Sequence, residues 1–195
     1  MRKFVMTAAL LALAMPASAG EIRSEYTDID LERGCSTFEA SAEDEPGGFA
    51  NLVCNGWRGY PVLIYQGDLR ESVVYGFPPA GDHAWESFSP FNATGPRIEW
   101  RIEKSGDKEI PFATIHRWNV SNPEDSEKSV EVLVVEKVGL IGEQQSCAVG
   151  LVMATGNAKA NEQARQLADK QARTASCSDA PTVIGKGMPD FSRAE

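Results

Sequence analysis

The sequence predicts an α+β fold: an antiparallel, strongly curved sheet of about seven or eight strands with one C-terminal helix packed on it. Three observations predict it. Short β-branched and aromatic runs recur between breaker-rich turns from residue 34 onward. The stretch RIEWRIEK at residues 97–104 alternates without a fault. The one segment with helical spacing, NAKANEQARQLADKQARTASC, comes last.

The first residues address the compartment. Arg2 and Lys3 form a positive start, residues 5–15 are apolar, and Ala17-Ser18-Ala19 is a small-residue cleavage signal. That pattern is a secretory signal peptide over residues 1–19, cleaved after Ala19. The expected organisation is one α+β domain over residues 20–177 and a flexible tail over residues 178–195. The location is then periplasmic or secreted. No Cys follows the cleavage site to carry a lipid anchor, and no later run approaches the ~18 apolar residues of a membrane span.

Within the domain, residues 34–38 and 51–55 read as two strands around the acidic turn SAEDEPGG. Residues 61–65 and 72–75 read as a second hairpin around QGDLRE. Residues 77–96, with four prolines and no sustained period, read as a long loop. That loop nonetheless carries Phe77, Trp85, Phe88 and Phe91, which suits folding onto the body. In RIEWRIEK, Ile98, Trp100 and Ile102 take one side and charged residues the other. Residues 110–118, 130–138 and 147–153 continue the strands, the middle one apolar on both faces like a central strand. The helix starts near Asn157 and shows Ala160, Ala164, Leu167, Ala168 and Ala175 as an apolar stripe. Arg165, Asp169 and Arg173 stand four apart beside that stripe.

Four cysteines in an exported chain read as two disulfides, with three connectivities open. Neighbourhood favours Cys35–Cys54 and Cys147–Cys177, which staple the first hairpin and the helix end.

Charge and motifs exclude more than they select. The chain carries 28 acidic against 19 basic residues, and loses two of the latter with its leader. Such a surface repels phosphate backbones, so nucleic acid is not an expected partner. The only histidines are His83, in the aromatic loop, and His116, on a strand. No G-x-S-x-G elbow stands near them. The grouping of His83 with Glu86 and the acidic run Glu43-Asp44-Glu45 lack the ligand spacing of metal sites. No catalytic residue, metal or cofactor is assigned.

The bend CNGWRGYPVLIYQGD has Gly56 and Gly59 around Trp57 and Arg58 but lacks the helix of a phosphate loop. Aromatic and Arg anchors dominate recognition surfaces. The candidate binding residues are therefore Trp57, Arg58 and Tyr60 on the bend, with Trp85, Phe88 and Phe91 in the loop. Trp57 and Trp85 are expected to border one shared surface. Three classes of function compete. One is a non-catalytic envelope module that binds another envelope protein or envelope component. The second is a small-ligand binder using the aromatic loop. The third is a hydrolase with carboxylate or His116 chemistry.

The order GCSTFEA, VCNGWRGYPVLIYQGDLRESVVYG, IEWRI, PFATIHRW, VLVVEKVG and CAVGLVMATGNAKANEQARQLAD resembles small secreted, uncharacterised proteins of alphaproteobacteria. The resemblance spans residues 26–177 and implies no activity, cofactor or binding residue.

Overall fold

The structure, a computed structural model, describes residues 20–42, 47–81, 84–122 and 125–194. The leader, the acidic run 43–45 and His83 lie outside the described residues.

Strands β1 (Glu21–Asp28), β7 (Asn92–Ser105), β8 (Lys108–Asn122), β9 (Asp125–Lys137), β10 (Cys147–Met153) and β11 (Thr182–Ile184) form a six-stranded sheet in the order β1-β7-β8-β9-β10-β11. Strands β2 (Cys35–Ala40), β3 (Phe49–Cys54), β4 (Val62–Gly67) and β5 (Arg70–Tyr75) form a separate four-stranded sheet in chain order. The short strands β6 (Trp85–Phe88) and β12 (Phe191–Ala194) pair with each other. Helix α1 spans Ala160–Gln171.

Period-two alternation builds three layers from this list. One face of the six-stranded sheet, with Ile98, Trp100, Ile102, Trp118 and Val134, packs on Val62, Ile64, Val73 and Tyr75 of the four-stranded sheet. The opposite face, with Ala113, Ile115, Leu133 and Val135, packs on Ala160, Ala164, Leu167 and Ala168 of the helix. Small residues on that helical stripe bring it close. A Cβ built on Gly150 of β10 would stand 2.4 Å from the Leu167 side chain.

The outward charges of β7 meet the helix as a ladder. Glu99 accepts from Arg165 at 2.6 Å, Arg101 reaches Asp169 at 2.7 Å, and Arg173 reaches Glu103 at 3.0 Å. The spacing permits this, since two strand residues advance about 6.6 Å and four helical residues about 6.0 Å. Asn157 does not cap the helix; its Oδ1 accepts from Lys159 N in the preceding turn.

Disulfides join Cys35 to Cys54 across the β2–β3 pair, and Cys147 on β10 to Cys177 beyond the helix. No helix among the described residues is long and apolar enough to cross a membrane.

The α+β class stands, but the single curved sheet does not: the strands divide into sheets of six, four and two. Alternation reports which side a residue faces, not which neighbours its strand takes. The long loop at 77–96 is also corrected, because it holds β6 and the start of β7. Gly95 and Pro96 are accommodated where the β7–β8 register shifts between Thr94 and Ile98, a position that tolerates a missing donor. The expected flexible tail contributes β11 and β12. Arg193 of β12 ties it down by donating to the carbonyls of Ala148 and Asp179.

Candidate functional site

An open groove of about 690 Å³ lies at the end of the four-stranded sheet where β4 turns into β5. The turn is Asp68-Leu69, with Gly67 paired to Arg70. Both central residues have positive φ, 49° and 57°. This is the hairpin geometry that favours Asn or Asp followed by Gly. Leu69 stands where Gly is usual, and 73% of it is exposed.

Phe49 and Phe91 stand with Leu69 on the groove, and they too are exposed. Phe91 is positioned from both sides. Arg70 lies over its ring at 5.1 Å and donates to the Ser89 carbonyl at 2.8 Å. Asn92, buried behind it, donates to the carbonyls of Phe88 and Pro90 and accepts from Glu71 N. The charged groups here are engaged from within the fold. Arg70 bonds Asp68, and the Glu71 carboxylate accepts from Gln66 and from Thr94 N at 2.7 Å. The opposite rim carries Asn119, Ser121 and Ser129. No hydrogen bond among the described residues engages those three side chains.

The residues singled out from sequence do not share one surface. Trp57 is only 4% exposed and donates its indole N–H to Glu25. Gly56 makes its close packing possible, since a Cβ there would lie 2.1 Å from the Tyr60 carbonyl. Arg58, with φ of 46°, stacks over the Trp57 ring at 4.7 Å and pairs with Glu109. Arg23 completes that ion cluster through Glu25 and Glu109. Glu25 and Glu109 are accordingly held below the usual carboxylate range, chiefly by hydrogen bonds from Trp57 and Arg23 respectively. Tyr60 is half-buried and packs on Trp57 and Phe77.

Trp85 sits against Gly67 at the opposite end of β4, about 16 Å along the strand from the Trp57 end. Phe88 is fully buried against Trp118 and Phe191. Of the six candidates, Phe91 alone lines the groove. Leu69 and Phe49 escape the sequence reading. The one available signal was Leu69 itself, an apolar residue in the second place of a two-residue turn.

His116 is enclosed between the two large sheets. Its Nε2 lies 2.7 Å from the Gly95 carbonyl, so it donates there, and Nδ1 accepts from the Tyr75 hydroxyl at 2.6 Å. Burial pushes its pKa down to about 4, against a smaller opposite pull from the Gly95 carbonyl. A neutral ring with both nitrogens engaged has no capacity left for proton transfer to a ligand. A second buried polar group surrounds Glu86, which accepts from Ala148 N and from Arg193. Glu136 lies nearby, and its Oε2 has no hydrogen-bond partner. Burial, then the neighbouring Glu86 carboxylate, hold its pKa well above the ordinary value. Neither His116 and Tyr75 nor Glu86, Glu136 and Arg193 line the groove at the β4–β5 turn. Among the described residues, no three His, Cys, Asp or Glu side chains are grouped to hold a metal ion.

Among known proteins, no family model matches this chain, and no curated protein or solved structure matches it either.

Proposed function

We propose that the protein is an exported, disulfide-stabilised, non-catalytic binding module of the cell envelope, and that the groove at the β4–β5 turn is its binding surface. The partner in this reading is an envelope component or another envelope protein. The observation that carries it is the grouping of Phe49, Leu69 and Phe91, all exposed, around one cavity of about 690 Å³. That volume falls within the range of small-molecule sites, which are mostly apolar with a few placed polar groups. Two disulfides and the leader pattern support an oxidising compartment. The resemblance to small secreted proteins of alphaproteobacteria belongs to the same reading.

Capture from envelope extract tests it when wild type is compared with Phe91→Ala and Leu69→Asp. Both variants alter exposed side chains, so they are expected to remain folded while retaining less of the captured material. Equal retention by all three proteins would remove the groove as the binding surface.

A further inference from the structure

We infer that the groove is a subsite for an uncharged pyranose ring, with Leu69 kept at the turn as its apolar platform. This rests on the groove being the binding surface, and three observations point from there to the ligand class.

The first is the turn. Leu69 holds a left-handed φ of 57° and is 73% exposed. An L-residue with a branched apolar side chain is disfavoured in that backbone region, and solvent exposure adds a second local disadvantage. The bend at Arg58 uses the same positive-φ pair but places Gly59, with φ of 88°, second. Leu69 therefore departs from turn chemistry at one end of β4 where the other end obeys it. Such departures point to function.

The second is charge. Among the described residues, Arg70 is the one cation in the groove's lining and is paired with Asp68, and Glu71 is buried with both carboxylate oxygens accepting from Gln66 and Thr94 N. An anionic ligand would find no free cation among them. A cationic one would meet, besides the paired Asp68, only a buried carboxylate whose oxygens are already engaged. The third is the donor set. Asn119, Ser121 and Ser129 bring amide and hydroxyl groups to the rim, and among the described residues these side chains bond neither one another nor the body. An occupant must then be neutral, with one apolar face and several hydroxyl or amide groups at its edge. A pyranose ring has that division: C–H bonds on its face suit the negative face of Phe91 or Phe49, and its edge hydroxyls suit the rim.

The test titrates 15N-labelled protein separately with tri-N-acetylchitotriose and cellotriose, both uncharged. The expected result is saturable displacement of the Leu69, Ala93 and Ser121 backbone amide signals. Response to tri-N-acetylchitotriose alone assigns an acetamido sugar, and response to both assigns a pyranose in general. Leu69→Gly and Leu69→Asn are expected to weaken this binding about tenfold while keeping or raising the melting temperature, by about 2–4 °C for the relieved turn. Absence of displacement with both sugars overturns the assignment. If envelope capture still depends on Leu69 in that case, the groove remains a binding surface and only the carbohydrate falls. Undiminished sugar binding by both Leu69 variants overturns the platform role.

Discussion

The two faces of the six-stranded sheet use polar residues in opposite ways. Toward the helix, β7 presents Glu99, Arg101 and Glu103, answered by Arg165 and Asp169 on α1 and by Arg173 in the turn that follows it. Toward the four-stranded sheet, the polar groups are few, enclosed and mostly uncharged: Thr114, His116 and Glu136, with Tyr75 opposite. The outer face joins a narrow stripe of alanines to a ladder of ion pairs whose partners on the helix side, Arg165, Asp169 and Arg173, are open to water. The inner face joins large apolar side chains to groups that must stay neutral. One face should therefore respond to salt and the other to pH.

The largest effect should come from the inner packing itself. Trp100 is fully buried, meets Tyr75 edge-on and donates to the Thr27 hydroxyl. Trp100→Ala is expected to lower the unfolding free energy by about 3–5 kcal/mol in urea titrations. A loss below about 1 kcal/mol would mean that the two sheets do not share the core described here.

Acid should probe the same face through His116. The folded ring titrates near 4 against an ordinary 6.5, so between those values the unfolded chain binds the extra proton. The stabilising contribution of the neutral ring is complete above pH 6.5 and shrinks as the pH falls through that window. The total is about 3 kcal/mol. His116→Gln retains an acceptor for Tyr75 and a donor for Gly95 without titrating. Wild-type stability minus variant stability should rise with pH from 4 to 6.5 and then level. A flat difference would place water at the ring.

Glu136 should bend the curve the other way. Its folded pKa is raised, so its contribution is complete below about pH 4.5 and lost as the pH climbs. Glu86 and Arg193 face it, the first raising and the second lowering that value. Glu136→Gln should match wild type near pH 4.5 and exceed it above, by up to about 1.4 kcal/mol per pH unit until the raised value is reached. A variant that is equally destabilised at all pH values would show that the carboxyl is charged in the fold.

Much of this contrast is legible in the sequence alone, and its limits follow from particular residues. Ile98, Trp100 and Ile102 alternate with charges, and Ala160, Ala164, Leu167 and Ala168 keep helical spacing, so the two faces announced themselves. Pairing across the chain did not. β1 has polar residues on both sides and little apolar period; its ladder with β7 makes it a strand. β6 and β12 pair over a hundred residues apart, which local pattern cannot carry. For the groove, the aromatic loop directed attention to Phe91 but equally to Phe88, two ring positions that differ only in which way the chain turns between them. Leu69 was hidden inside QGDLRE because a hairpin turn was reading enough for that stretch.

The smallest effect belongs to the outer face, and it sharpens the contrast most directly. Arg173 reaches Glu103 at 3.0 Å, and its guanidinium also lies 3.8 Å from the centre of the Phe112 ring. Both partners of the ion pair remain about one-third open to solvent. Pairs of that kind contribute about 0.2–1 kcal/mol, and salt screens them over about 10 Å at 0.1 M. Arg173→Gln should thus cost no more than about 1 kcal/mol at low ionic strength. The ion-pair part of that cost should fade toward 0.5 M NaCl, leaving what Arg173 contributes by lying on Phe112. The His116 and Glu136 differences, set by burial, should keep their size in the same salt series. If salt instead erased those two and spared Arg173→Gln, the division of labour between the faces would be the reverse of the one described.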